Sequence, residues 1–330
     1  MKVLLTGAFG NIGHETIKHL LKKGHQVRCL DLDTKANRQT AREFKGEVET
    51  LWSDVTSRPD VEAAVKGQDA VVHLANYIDV MWMETHPDEA RKVNVGGTVN
   101  VIEAMKAGLP QGRKLIYISS IGVWGSARRP PPGLKASDPV NPVTVYGRQK
   151  VECEELVKNS GLDWCILRLA FAPPLKGDRI EMAAVLFEAP LDAHLDFVDP
   201  RDVGLAVANS ATSSEVWGKT LLIGGGSRNQ MVYRDFSKTF WGFLGAFPED
   251  AFAPPDSPAW AEWVDSSESQ RLLNYQNHTL QDFVKEMLAT MAPGWRRHLI
   301  PLVAPLVRRR ILQQSRYYKA AMQRAAHQAK

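Results

Sequence analysis

The chain alternates short apolar runs with stretches in which apolar residues return every three or four positions. The first pattern marks buried strands, the second amphipathic helices. Lys2 to Thr6 is the first run. It leads into the turn Gly7-Ala8-Phe9-Gly10-Asn11-Ile12-Gly13 and then a helical pattern with Ile17, Leu20 and Leu21 on one face. Gly24 closes that helix, and Val27 to Leu30 forms a second strand stopping at Asp31. A third strand, Val48 to Trp52, ends at Ser53-Asp54-Val55, with a helix behind it through about Lys66. Asp69 to Ala75 is the fourth strand, with Asn76 and Tyr77 in the loop beyond it. A long helix from about Asp88 to Ala107, broken in character by Gly96-Gly97, precedes a fifth strand, Lys114 to Ile118, that runs into Ser119-Ser120. Strands alternating with helices predict an α/β fold, a Rossmann-like doubly wound parallel sheet with helices on both faces. Ligands in such sheets sit beyond the C-terminal strand ends, where Gly7, Asp31, Asp54, Asn76 and Ser120 all fall.

A strand, a glycine-rich turn and a helix together bring backbone N–H groups and a helix N-terminus onto a pyrophosphate. Glycines are required because a side chain would hold the phosphates away from the backbone. Asp31, about 20 residues on, accepts hydrogen bonds from ribose hydroxyls and repels a 2′-phosphate, which favours NAD over NADP. Lys35 and Arg38 read as surface loop charges rather than a 2′-phosphate site, and His73, at the end of an apolar run, as a hydrogen-bonded core residue. Further along, Tyr146 stands four residues before Lys150 where a helix begins, so both point the same way. An ammonium beside a phenol favours the phenolate and lowers its pKa, and such a pair can move a proton onto or off an alcohol oxygen.

Composition adds limits. The 330 residues are 44% hydrophobic and 24% charged, ordinary for a soluble globular chain. Cys29, Cys153 and Cys165 are scattered in apolar surroundings; they point to buried packing and a reducing cytoplasm, with no disulfide framework and no metal site. The net charge of +4 is uneven. No acid follows Glu286, while nine Lys and Arg do, including Arg308-Arg309-Arg310; setting them aside leaves 32 basic against 37 acidic residues. Within this tail the apolar run Leu299 to Val307, broken by Pro301 and Pro305, is far below the roughly 20 residues that span a bilayer. Three occupants stay open for it: a membrane interface contacted peripherally, the acidic body or a partner subunit, or an acidic partner molecule. No nucleic-acid motif accompanies the basic run.

The motifs Thr6-Gly7-Ala8-Phe9-Gly10-Asn11-Ile12-Gly13, Asp31, Asp54-Val55, His73-Leu74-Ala75, Val93-Asn94-Val95-Gly96-Gly97-Thr98, Ser119-Ser120-Ile121-Gly122-Val123-Trp124-Gly125 and Tyr146-Gly147-Arg148-Gln149-Lys150 come in a definite order. On them the chain resembles, over roughly residues 1 to 290, the extended short-chain dehydrogenase/reductase family, also labelled NAD-dependent epimerase/dehydratase. The resemblance implies Tyr146 as catalytic acid/base, Lys150 binding the nicotinamide ribose and lowering the tyrosine pKa, and Ser120 hydrogen-bonding the substrate oxygen. It implies a cofactor-binding set of Gly7, Phe9, Gly10, Asn11, Ile12, Gly13, Asp31, Asp54, Val55, Leu74, Ala75, Asn94, Tyr146 and Lys150. Asp54 and Val55 would flank the adenine, and Asn94 would support the site through backbone contacts. Asn76, Trp82, Ser120, Trp124 and Phe171 are the candidate substrate contacts. A homodimer built on the helices near 88 to 107 and 146 to 159 is also implied.

Departures narrow the substrate. Ile121-Gly122 stand where 4,6-dehydratases of this family carry an Asp-Glu pair, and Ala170-Phe171-Ala172-Pro173-Pro174 replaces a Val-Tyr-Gly-Pro type of turn. Only about 30 residues then precede Phe197-Val198-Asp199-Pro200-Arg201-Asp202-Val203, without the Gly-Asp-Gly stretch and arginine that clamp a nucleotide diphosphate. The region instead holds Met182, Leu186, Phe187 and Leu191, then Phe236, Phe240, Trp241, Phe243, Leu244 and Phe247, a stripe read first as core. With Met81, Trp82 and Trp124 near the site, the expected substrate is an uncharged hydroxy or keto lipid, steroid-like or terpenoid compound. The expected organisation is an NAD-binding domain with the Ser-Tyr-Lys site over 1–168, a smaller C-terminal substrate-binding lobe over 169–290, and a basic amphipathic tail over 291–330. The expected function is an NAD-dependent oxidoreductase acting on a secondary alcohol or ketone. The alternatives are an epimerase of a sugar-like substrate and a non-catalytic NAD-sensing regulator, which would need neither Ser120 nor Tyr146.

Overall fold

The computed structural model describes residues 1–108, 114–125, 133–175, 185–255, 257, 262–292 and 294–328. Seven parallel strands form one sheet: β1 (Lys2–Thr6), β2 (Gln26–Asp31), β3 (Glu49–Trp52), β4 (Ala70–His73), β5 (Lys114–Ser120), β6 (Asp163–Leu169) and, last on one edge, Lys219–Ile223. Their spatial order runs β3-β2-β1-β4-β5-β6 and then Lys219–Ile223, so the winding reverses between β1 and β4. A crevice opens at such a reversal, beyond the carboxyl ends of the two strands.

Alternate residues of each strand feed two cores. Val3, Leu5, Val72, Ile116 and Leu167 face α1 (Asn11–Lys22) and the helix Pro200–Thr212 through Ile17, Leu20, Val203 and Val207. Leu4, Val71, Leu115 and Ile166 face the other side, where Val61 of α3 (Arg58–Val65) and Val157 join them. With a period of two, a strand buried on both faces reads as an unbroken apolar run.

Two elements differ from the expected pattern. The long helix is three pieces: Pro87–Arg91, a π turn over Lys92–Gly96, and α6 (Gly97–Gly108). Gly97 sits so close to α3's approach that a Cβ there would lie 2.7 Å from Val55 Cγ2. Lys35 and Arg38 lie on a helix, α2 (Lys35–Ala41), rather than in a loop; Thr34 caps it by accepting from Asn37 N. None of its residues is buried, so it has no apolar stripe to betray it.

His73 is buried and hydrogen-bonded to Thr6 Oγ1 at 2.7 Å and Thr98 Oγ1 at 3.1 Å, and burial lowers its pKa to about 3. All three cysteines are free and buried, and burial pushes the Cys165 thiol up to about 12. Among the described residues no group of side chains could hold a metal ion.

The C-terminal lobe centres on a second apolar cluster. An antiparallel pair, His194–Asp196 with Gln230–Val232, and the helices Tyr233–Trp241 and Leu280–Met291 enclose Phe187, Phe197, Phe236, Phe240 and Phe283. The aromatic stripe is core, with Phe236 and Phe240 inaccessible to solvent; Met182 lies outside the described residues. The tail packs on the same cluster. Helix Ile300–Leu312 buries Ala304, Ile311 and Leu312, Arg308 donates to Ala246 O at 2.6 Å, and Ser315 Oγ donates to Ala251 O at 2.6 Å. No described helix is long and apolar enough to cross a membrane.

Candidate active site

The turn after β1 is shaped by what it cannot hold. Gly7 has φ +67, and a Cβ there would fall 2.8 Å from Ala75 Cα. A Cβ on Gly13 would fall 2.4 Å from Ala8 O and 2.5 Å from Gly7 O, so the first turn of α1 lies directly on the loop. Gly10 is the exposed N-cap and offers no side chain to the helix, and the first turn contains no acid. The N–H groups of Asn11 and Ile12 therefore keep the positive end of α1 available to an anion. Asn11 Nδ2 reaches Ala172 O at 3.3 Å and ties this turn to the chain after β6.

Asp31 ends β2 beside the turn. Its Oδ2 accepts from Phe9 N at 2.7 Å, and Oδ1 accepts from Leu32 N at 2.8 Å and Asn37 Nδ2 at 3.0 Å. Burial raises its pKa, opposed by the backbone N–H groups of Phe9 and Leu32. Arg38 is engaged elsewhere, in a forked ion pair with Asp33 and over the Trp52 ring at 5.3 Å. Asp54 Oδ1 accepts from Thr56 N at 2.8 Å, and Val55 is buried against α6. Leu74 and Ala75 continue from β4, Ala75 N donating to Thr6 Oγ1 at 3.3 Å. Beside them Asn76 Oδ1 is buried with no partner among the described residues. Glycines where no Cβ fits, an uncapped helix end, an acid at the end of β2 and an orphaned acceptor are together a fit for a dinucleotide such as NAD.

Beyond β5, two adjacent serines diverge. Ser119 Oγ donates to Glu154 Oε1 at 2.6 Å, and Glu154 is locked in a buried ion pair with Arg168 at 2.7 Å. Ser120 Oγ accepts from Gly122 N at 3.1 Å and lies beside the Tyr146 ring: a Cβ on Gly122 would fall 3.4 Å from Ser120 Oγ and 3.5 Å from Tyr146 Cε1. Tyr146 is held there by backbone contact: a Cβ on Gly147 would fall 2.5 Å from Gly122 O, which fixes helix α7 (Val145–Lys158) against the Ile121–Trp124 turn. Thr144 caps α7 by accepting from Gly147 N at 3.0 Å.

Lys150 lies one turn along α7, buried, with Nζ donating to Ile118 O at 2.7 Å and Tyr117 Oη at 3.4 Å. Nζ is 5.7 Å from the centre of the Tyr146 ring. Burial lowers the lysine pKa to about 8. Tyr146, half-buried, has its pKa raised by desolvation, with only the nearby Ser120 side chain opposing. The sequence argument, in which the ammonium lowers the phenol's pKa, does not describe this state: two of the three Lys150 donors go to Ile118 O and Tyr117 Oη, and desolvation of the phenol dominates.

Asn94, on the π turn, ties the loop after β4 to α7. Its Oδ1 accepts from Tyr77 N at 2.6 Å, and its Nδ2 donates to Tyr77 O at 3.2 Å and Gln149 Oε1 at 2.9 Å. Trp82 stacks on His86 at 4.4 Å and leans on Tyr77 at 4.5 Å, while Met81 is exposed. Trp124 is turned into the core instead of an open cleft: it is 2% exposed, its Nε1 donates to Asp138 O at 3.1 Å, and Arg168 covers its ring at 4.6 Å. Phe171, half-buried, sets its edge on Phe236 at 5.6 Å and joins the site to the lobe. Sequence reasoning missed the Glu154–Arg168 pair, although an arginine inside the apolar run Leu167-Arg168-Leu169 and an acid one turn after Lys150 were visible signals.

Residues 3–172 match the NAD dependent epimerase/dehydratase family. The chain is 32% identical over 208 residues to a 3 beta-hydroxysteroid dehydrogenase/Delta 5→4-isomerase of Mycobacterium tuberculosis, covering 59% of this chain and 52% of that protein. It is 27% identical over 176 residues to a UDP-glucose 4-epimerase of Lactobacillus helveticus, covering 51% of each. The chain thus spans about half the length of these curated relatives. Among solved structures, a UDP-glucose-4-epimerase from Stenotrophomonas maltophila with bound NAD and formylated UDP-arabinopyranose superposes with a TM-score of 0.73 at 21% identity, over 92% of this chain and 99% of that one. Bordetella bronchiseptica WbmG in complex with NAD gives 0.70 at 22%, over 88% and 93%. At these identities the structural likeness shows the fold.

Proposed function

The chain belongs to the NAD-dependent epimerase/dehydratase family, and on that premise we propose that it is an oxidoreductase that interconverts a secondary alcohol and a ketone. The observation that carries this reading is the convergence of Ser120 Oγ and the Tyr146 ring on Gly122, with Lys150 buried one turn away, beside a turn that fits a dinucleotide. Gly7, Gly10, Asn11, Ile12 and Gly13 would hold the pyrophosphate of NAD, and Asp31 its adenosine ribose. Bound there, NAD supplies the hydride acceptor or donor. Ser120 holds the substrate oxygen, and Tyr146 takes its proton in oxidation or returns it in reduction. Lys150, buried one turn along α7, would hold the nicotinamide ribose once NAD is bound, while desolvation sets the Tyr146 pKa in this structure. Asp31, and the engagement of Arg38 by Asp33, favour NAD over NADP.

We assign residues 1–168 to the cofactor and catalytic machinery and 169–290 to substrate selection. Phe171 and Leu175, partly buried against the aromatic cluster, support an apolar hydroxy or keto substrate. The resemblance to a 3 beta-hydroxysteroid dehydrogenase points the same way. A second reading, epimerisation of a sugar-like substrate, draws on the match to a UDP-glucose 4-epimerase and would run the same proton transfer twice. Helices α6 and α7 leave an outer groove lined by Val99, Ile102 and Leu156 that suits a second copy, and the three buried free thiols suit a reducing cytoplasm.

Tyr146→Phe is expected to lower turnover about 10²-fold or more while calorimetry shows NAD affinity within about twofold of the parent. Unchanged turnover would remove Tyr146 from the mechanism.

A further inference from the structure

The tail helix Ile300–Leu312 has two faces of opposite character. Ala304, Val307, Ile311 and Leu312 account for its packing on the lobe. The outward arc has no such role: Leu302 is 76% exposed, Leu306 73% and Val303 49%, and Trp295 just before the helix is 70% exposed. At about 100° per residue, Leu302, Leu306, Arg309 and Arg310 fall on one side, so the outward face is apolar in its first turns and cationic in its last. Among the described residues neither Arg309 nor Arg310 makes an ion pair, and no acid follows Glu286 in the chain. A cleft between this helix and Arg316–Gln328 is lined by Arg309, Lys319, Leu312, Tyr318 and Met322, again cations over apolar side chains.

We propose that this face docks the protein peripherally on an anionic lipid surface, with Trp295, Leu302 and Leu306 entering the headgroup–acyl boundary and Arg309, Arg310 and Lys319 meeting lipid phosphates. Basic helical termini at a C-terminal end gain from the helix dipole alone, but that gives no reason for three large apolar side chains in water beside them. A lipid interface satisfies both halves of the face at once. An acidic protein would satisfy the arginines and leave the leucines exposed, and a second copy meeting it through the same face would bring the same uncompensated cations together. The proposal is independent of the substrate reading, because it concerns a surface whose residues stand outside the catalytic and cofactor-binding set.

The test is flotation of the full chain, with NAD added, on vesicles of phosphatidylcholine alone or with one-third phosphatidylglycerol. The expected result is binding to the anionic vesicles that weakens with salt. Arg309→Gln/Arg310→Gln should weaken it about 30-fold, at the affinity each surface-proximal cation supplies. Leu302→Ser/Leu306→Ser should weaken it at least about tenfold. Melting temperature and NAD affinity should stay unchanged in both variants, since all four side chains point away from the lobe. No binding to either vesicle, or equal binding to both, would overturn the proposal. So would a leucine variant that turns a dimer into a monomer by light scattering while leaving flotation unchanged, which would make a second copy the occupant.

Discussion

The turn after β1 and the aromatic cluster of the C-terminal lobe reach order by opposite means. In the turn, shape comes from atoms that are missing: Gly7 and Gly13 leave space that neighbouring backbone already fills, and the helix end stays uncapped. In the lobe, shape comes from bulk: Phe236 meets Tyr233 at 5.4 Å and Phe240 at 5.1 Å, and Phe240 stacks toward Phe283 at 6.0 Å. The difference predicts which property each region governs. A change in the cluster should be felt as stability, and a change in the turn as cofactor affinity.

Phe236→Ala gives the largest expected effect on that contrast. Removing an inaccessible ring from the cluster should cost about 3–5 kcal/mol in denaturant unfolding. NAD affinity, measured on the fraction still folded, should stay within about twofold. If affinity fell together with stability, the two regions would be one energetic unit. Gly13→Ala is the reverse experiment. Its Cβ meets two backbone carbonyls that cannot swing aside, so the first turn of α1 must move off the loop. NAD affinity should drop at least about 100-fold, with an unfolding cost of about 1–3 kcal/mol. Unaltered NAD affinity would mean that the turn is not the cradle.

The sharpest refinement is a pH series. His73 has its folded-state pKa lowered to about 3 against 6.5 for the free side chain, so below 6.5 the unfolded chain binds the extra proton. Stability from this residue is complete above pH 6.5 and is lost progressively as pH falls toward 3, by up to a few kcal/mol. The Tm of His73→Gln should fall less steeply than the parent's through that window. Equal slopes would mean that the buried imidazole is not the acid-sensitive point of the sheet half.

The same contrast explains what could be read in the chain. The strands, the glycine turn and the Tyr146–Lys150 spacing are short-range patterns, each carried within about a dozen residues, and the structure places them where the patterns indicated. Helix α2 escaped because it buries nothing, and hydrophobic period was the signal in use. The state of Tyr146 was not legible, since the partners that occupy Lys150, Ile118 and Tyr117, lie about thirty residues earlier and meet it only through the β5–α7 packing. Trp124 looked like a pocket wall for the same reason; nothing nearby in sequence announces that Arg168 covers it. The tail left three occupants open, and its inner face alone is settled by the lobe.

The most direct test is absorbance at 340 nm when the protein and NAD meet apolar secondary alcohols, 3-hydroxysteroids among them. Net NADH formation, lost in Tyr146→Phe, is the expected result. Bound NAD that never changes its redox state with any alcohol or ketone, while a sugar nucleotide is epimerised, would contradict the proposal and make the second reading the right one.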